Sequence, residues 1–216
     1  MLFLNFIFLS LAAFGSEQPT PLDPPYQNLV HPAPFIETES NRRSFSIRSD
    51  VSHVIAKQTA VKSQISRGTC SIFSAIALLE ALLVSEGLSP KDVDLSEEWL
   101  QYLIARNQGS YGSYSTLNFK TLIDYAAPEE TYMPYIGDDW TQNPSNSLAE
   151  KRCGHLSGFS RKACLVGHRD PQLLVASEEE LTDANSKLYD PDFLKARKNS
   201  QKIRDHHISD TRTTYS

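Results

Sequence analysis

The sequence predicts an α+β protein whose readable centre is helical. Three observations carry that expectation. An Ala/Leu-rich run from Cys70 to Glu86 repeats its apolar residues at helical spacing. Two further helix signatures follow, one opened by Ser96 and one running from Thr116 to Ala126. A weak apolar alternation between Ser44 and Ile65 reads as a short strand. The 216-residue chain is 40% hydrophobic and 22% charged, which suits a packed core and excludes wholesale disorder. A formal charge of -5 argues against a dedicated nucleic-acid binder. Glycine is not periodic and no solenoid-length repeat occurs, so fibres and repeat arrays are excluded.

Met1 to Phe14 is an apolar run broken only by Asn5 and Ser10, with small residues at Ala13 and Gly15. It predicts a signal peptide over residues 1–15 and a secreted or periplasmic protein. The run is shorter than the roughly 20 residues a bilayer crossing needs, so no stable membrane anchor is expected. Residues 16–43 hold six of the twelve prolines and read as an extended linker or a short pro-segment. Residues 44–136 form the main helical unit. In its first helix Ile72, Phe73, Ile76, Leu79 and Leu83 make one stripe, and Ala75, Leu78 and Leu82 lie off it. A helix apolar on nearly all sides predicts a buried central element, stopped by Gly87. Ser96 suits the N-cap of the second helix, with Glu97 and Glu98 in its first turn. Its apolar face would be Trp99, Leu100, Leu103 and Ile104. A Gly/Ser/Tyr loop spans Asn107 to Ser115. The third helix would turn Leu117, Leu122, Ile123 and Tyr125 inward and end before Pro128. Residues 137–216 read as a polar extension, and its charged part, 177–207, as a solvated surface helix if helical.

The chain has three cysteines, an odd number, which in an oxidising compartment leaves one thiol over. Cys153 and Cys164 lie close together in a polar stretch and are the natural disulfide pair. Cys70 is then free, at the start of the first helix after Arg67-Gly68-Thr69. A helix start offers unpaired N–H groups and a positive end, which suit an anionic sulfur nucleophile and a developing oxyanion. Gln64, six residues earlier, can fold back over the helix start and offer its amide as a second oxyanion donor.

The segment Ala60-Val61-Lys62-Ser63-Gln64 through Gly68-Thr69-Cys70-Ser71-Ile72-Phe73-Ser74-Ala75 resembles the active-site segment of papain-like cysteine peptidases. The Gln-to-Cys spacing, the Gly two before Cys, and Phe-Ser-Ala all match. Glu80 stands where that family's helix has its Glu. Leu95-Ser96-Glu97-Glu98-Trp99-Leu100, the strip Gly109 to Ser113, and Thr131-Tyr132-Met133-Pro134-Tyr135 are similar to later family segments, in the same order. The resemblance implies a papain-like fold with its helical lobe present and its β-rich lobe missing or incomplete. It implies Cys70 as nucleophile and Gln64 as oxyanion donor. It places Gly112 and Ser113 on the strip that pairs with an extended peptide or protein substrate. Three departures stand out: Arg67 and Ser71 replace a Cys and an aromatic beside the nucleophile, and Ser113 replaces a second Gly.

Such chemistry also needs a His and an orienting Asn or Asp. His31 lies in the proline-rich linker and His53 precedes the nucleophile. His155, His168, His206 and His207 lack the family's flanking residues, and Asn199-Ser200 lacks a following Trp. Each His is read as an ordinary surface residue. The His206-His207 pair has no supporting ligand spacing, so neither a metal nor another cofactor is expected. No C-x-x-C occurs, which disfavours a thiol redox protein. The sequence therefore predicts a secreted cysteine peptidase acting through an acyl-enzyme on Cys70, in a truncated chain whose partner would be a missing C-terminal lobe. The competing expectation is a secreted, catalytically inactive peptide-binding or interaction module of the same fold.

Overall fold

A computed structural model describes residues 55–213, with side chains to residue 205. The signal-peptide and linker readings, and His31 and His53, lie outside the described residues, as do the side chains of His206 and His207. The helices are α1 (Cys70–Ser85), α2 (Glu97–Gln108), α3 (Ser115–Tyr125), α4 (Ser147–Cys153), α5 (Gly158–Gly167), α6 (Glu178–Thr182) and α7 (Pro191–Thr213), with a 3₁₀ turn at Glu130–Tyr132. Among the described residues there is no β-strand, and Leu95 and Glu129 form an isolated antiparallel bridge. Over this span the arrangement is all-helical, consistent with the expected helical lobe; of the strand read between Ser44 and Ile65, residues 44–54 lie outside the described residues and 55–65 form no strand.

Local chemistry sets the helix ends. Gly87, at φ +71°, stops α1 in a left-handed cap. There Leu88 N–H donates to Leu83 O at 2.9 Å and Gly87 N–H to Val84 O at 3.2 Å, which satisfies the last carbonyls. Ser96 caps α2 by accepting from Trp99 N–H at 3.0 Å. The Asn146 side chain caps α4, and a Ser177/Glu180 capping box opens α6.

The central buried element is α2, not α1. Every residue from Glu97 to Ala105 is buried. Helix α1 buries Ile72, Ala75, Ile76, Glu80, Ala81 and Val84. It leaves Leu78 and Leu82 about half exposed, at 47% and 49%. On α3, Leu122 is buried but Ile123 and Tyr125 face solvent, against the inward placement expected for both.

The polar extension also departs from its reading. Helix α5 lies so close to α2 that a Cβ on Gly167 would sit 3.1 Å from the Ala105 Cβ and 3.3 Å from the Tyr102 Cα. Helix α7 is not merely solvated. Phe193 is fully buried, with its ring centroid 5.4 Å from Trp99 and 5.0 Å from Tyr102, and Leu194 and Ala196 are buried beside it. Phe193 and Leu194 seat one end of this charged helix, because each large buried side chain contributes roughly 1.5–3 kcal/mol. Cys153 and Cys164 are joined in a disulfide, Cα to Cα 5.7 Å, that ties α4 to α5 beside Trp140 and Ala149. Among the described residues no helix is long and apolar enough to cross a membrane.

Candidate active site

Three segments converge on the start of α1: the turn 64–69, the loop 111–114 and the stretch 133–139. Cys70 is the first residue of α1, and its thiol is free and exposed. The N–H groups of Ile72 and Phe73 turn back to Thr69 O, at 3.0 and 3.1 Å. Among the described residues no acceptor takes the N–H groups of Cys70 or Ser71. Thr69 does not cap the helix with its hydroxyl. That hydroxyl is shared with Tyr135 Oη at 2.8 Å instead. An uncapped helix start therefore lies beside an exposed sulfur, an arrangement able to receive an oxyanion.

Gln64 opens the turn. Its carbonyl accepts from Tyr135 Oη at 2.9 Å, and its side-chain amide has no partner among the described residues. Ile65 sits at φ +52°, a left-handed conformation costly for a β-branched residue. Gly137 makes room for it, because a Cβ there would collide with the Ile65 side chain. Ser66 Oγ also donates to Gly137 O at 2.8 Å. Tyr135 braces the turn further by meeting Phe73 edge-on, 4.9 Å between centroids.

Two of the departures from the resembled pattern interlock. Ser71 Oγ lies 3.0 Å from Ser113 Oγ and accepts from Ser113 N–H at 3.2 Å. Asn118 closes the cluster: its Oδ1 accepts from Ser113 Oγ and its Nδ2 donates to Ser71 O at 2.9 Å. The Gly112 strip is thereby tied to the first turn of α1. Gly112 itself is at φ +80° with open space around it, so its backbone conformation requires glycine and crowding does not.

Beneath the turn lies a buried ionic cluster. Arg67, 1% exposed, donates to Glu98 Oε2, to Ile136 O at 2.7 Å and to Val166 O at 2.9 Å. Its guanidinium lies 4.9 Å from the Tyr135 ring centroid and 5.6 Å from that of Tyr111. His168 Nδ1 approaches Glu98 Oε1 at 2.9 Å, off the hydrogen-bonding direction. The imidazole stacks on Trp140 at 3.9 Å. Burial opposes the Glu98 carboxylate, but Arg67 and His168 outweigh it and hold its pKa below the ordinary value. Burial lowers the His168 pKa, against the opposing pull of Glu98.

A second cluster anchors the segment leading into the turn. Lys62 Nζ reaches Asp94 at 2.5 Å, Glu97 at 2.8 Å and Glu80 at 3.2 Å. Burial works against the Lys62 ammonium, but these carboxylates prevail and raise its pKa. Fully buried Glu80 also accepts from Thr59 Oγ1 and from Leu95 N–H at 2.8 Å.

Cys70, Gln64, Gly112 and Ser113 are thus gathered around one helix start. Cys153 and Cys164 belong to a separate cluster. No described histidine joins the thiol. His168 is fully buried, which corrects its reading as a surface residue. His155 pairs with Asp170 at 3.0 Å in a different cavity. No group of His, Cys, Asp and Glu among the described residues is placed to hold a metal ion. Sequence reasoning missed Arg67, Tyr135 and Asn118. The signal for Arg67 was a long cation inside a turn of small residues.

The chain is 31% identical over 132 residues to a protein of Entamoeba histolytica named cysteine proteinase 2. The match covers 60% of this chain and 40% of that protein. No family model matches the chain. No solved structure matches it.

Proposed function

We propose that this chain is the nucleophile-bearing helical part of a papain-like cysteine peptidase, exported after cleavage behind Gly15. Cys70 attacks the scissile carbonyl to form an acyl-enzyme. Its own N–H and the Gln64 amide receive the oxyanion, and the Gly112 strip aligns the peptide. The observation that carries this reading is the exposed Cys70 thiol at an uncapped helix start, with Gln64 pinned by Tyr135 across the same turn. The similarity to a named cysteine proteinase suggests the same class of chemistry. The chain spans only 40% of that relative's length, so the whole enzyme's activity belongs to this proposal.

A second reading, a peptide-binding module without turnover, is favoured by one observation: no described imidazole is free to serve Cys70. General acid–base help is typically worth ~10²–10⁴-fold. In the first reading a second lobe supplies the histidine. Active-site titration with a peptidyl electrophile separates the two. Stoichiometric labelling of Cys70, lost in Cys70→Ala and slowed in Tyr135→Phe, supports a nucleophile site. No labelling beyond that of a free model thiol sinks it.

A further inference from the structure

Away from the Cys70 turn, a cavity of about 370 Å³ opens between α4, the segment 168–173 and the segment 187–192. Its apolar wall is Leu148, Leu173 and Leu188, and its polar side includes Lys151, Arg152, Arg169 and Lys187. The carboxylates that also line it are already engaged. Asp170 holds His155 at 3.0 Å and accepts from Gln172 N–H at 2.8 Å. Asp190 holds Arg169 at 2.6 Å and accepts from Phe193 N–H at 2.9 Å. Asp192 pairs with Lys195 at 2.9 Å.

The cations are under-committed. Among the described residues, Lys151, Arg152 and Lys187 have no carboxylate partner. Arg152 makes one long bond, to His168 O at 3.3 Å, and lies over Trp140 at 6.0 Å. Most of its planar donor fork is therefore free. Arg169 is 6% exposed, yet its Nε is buried with no acceptor. Burial, then the neighbouring Arg169, push the Arg152 pKa down to about 10, the response of a desolvated cation facing a like charge.

We propose that this cavity binds a small organic anion, with a carboxylate or phosphate head gripped by Arg152 and Arg169 and a short apolar body against Leu148, Leu173 and Leu188. An oxyanion accepts the free donor fork of Arg152 bidentately, Arg169, held by Asp190, adds its positive charge, and the two lysines close the rim. The volume fits one small ligand.

The test is titration calorimetry on the full chain with inorganic phosphate and, separately, 4-methylpentanoate, at fixed ionic strength with chloride as the control ion. Saturable binding of at least one probe is expected, and the tighter probe identifies the head group. Arg152→Gln should weaken it about tenfold to hundredfold, the scale of a lost charge-assisted contact. Lys151→Gln with Lys187→Gln, both exposed, should weaken it about two- to fivefold per lysine at most. Should Arg152→Gln fail to fold, the lysine pair decides. No saturable binding of either probe, or an affinity unmoved by the folded variants, overturns the proposal. Cys70→Ala should leave binding unchanged, which separates this site from the thiol.

Discussion

Helices α1 and α2 lie side by side, and the more apolar of the two is the less buried. Helix α1 is rich in Ala, Leu and Ile, yet Leu78 and Leu82 are about half exposed. Helix α2 carries Glu97, Glu98, Gln101 and Tyr102, and all four are buried. The difference lies in the neighbours. Helix α2 meets α1, α3 and α5, and Phe193 of α7 packs on its aromatic residues. Its charges survive burial because each has a partner, Lys62 for Glu97 and Arg67 for Glu98. One helix presents an apolar flank and a free, exposed cysteine at its start, while the other holds the core together through paired charges.

The largest effect is expected at Glu98. Glu98→Ala strands Arg67 in the core and should cost about 3–5 kcal/mol in chemical unfolding, and it should loosen the turn that carries Cys70. A loss comparable to that of a surface substitution would show that the cluster is solvated. Next comes a pair of equal truncations. Leu100→Ala on α2 should cost about 2–5 kcal/mol, while Leu82→Ala on α1 should stay within about 0.5 kcal/mol. Similar losses from both would mean that something covers α1 in solution.

Gln101 acts in the other direction. Its amide is fully buried with neither atom paired. Replacing it by Met removes an unmet desolvation cost and should stabilise the fold by about 1–2 kcal/mol, read as a higher denaturant midpoint at unchanged slope. A destabilised variant would place a water or a partner on that amide.

A further effect is one of pH. Burial pushes the Glu130 pKa up to about 7. Its folded state holds a proton more tightly than the unfolded chain. The associated stability is therefore full below the ordinary carboxylate pKa and is lost as pH rises to about 7. Glu98, with a lowered pKa, acts in the opposite sense, its contribution disappearing as pH falls below the ordinary value. Glu130→Gln should flatten the decline on the neutral side and leave the acid side alone. A pH profile unchanged by that substitution would remove Glu130 from the linkage.

Local readings succeeded where the causes are local. The Ser96 cap, the Gly87 stop and the stripe of α1 depend on residues a few positions apart. So does the position of Cys70, because a thiol at a helix start needs only the turn and the helix that follow one another in the chain. The brace on that turn was hidden. Tyr135 lies about 70 residues away, and nothing in its flanks says that its hydroxyl binds Gln64 O. The serine substitutions at 71 and 113 looked like two separate losses. In space they are one hydrogen-bonded unit.

Sequence alone was enough to place where helices start and stop, that one cysteine is left over, and that a free thiol stands at a helix start. These follow from side-chain chemistry acting over one or two turns of chain. Tertiary structure alone decided that a polar helix is the centre, that a charged helix is seated by Phe193, and that His168 is sealed behind Arg67. Burial depends on how many neighbours a surface acquires, and a charge can be buried only when a distant partner meets it. Neither the count of neighbours nor the identity of that partner is written in the composition of the helix that needs them.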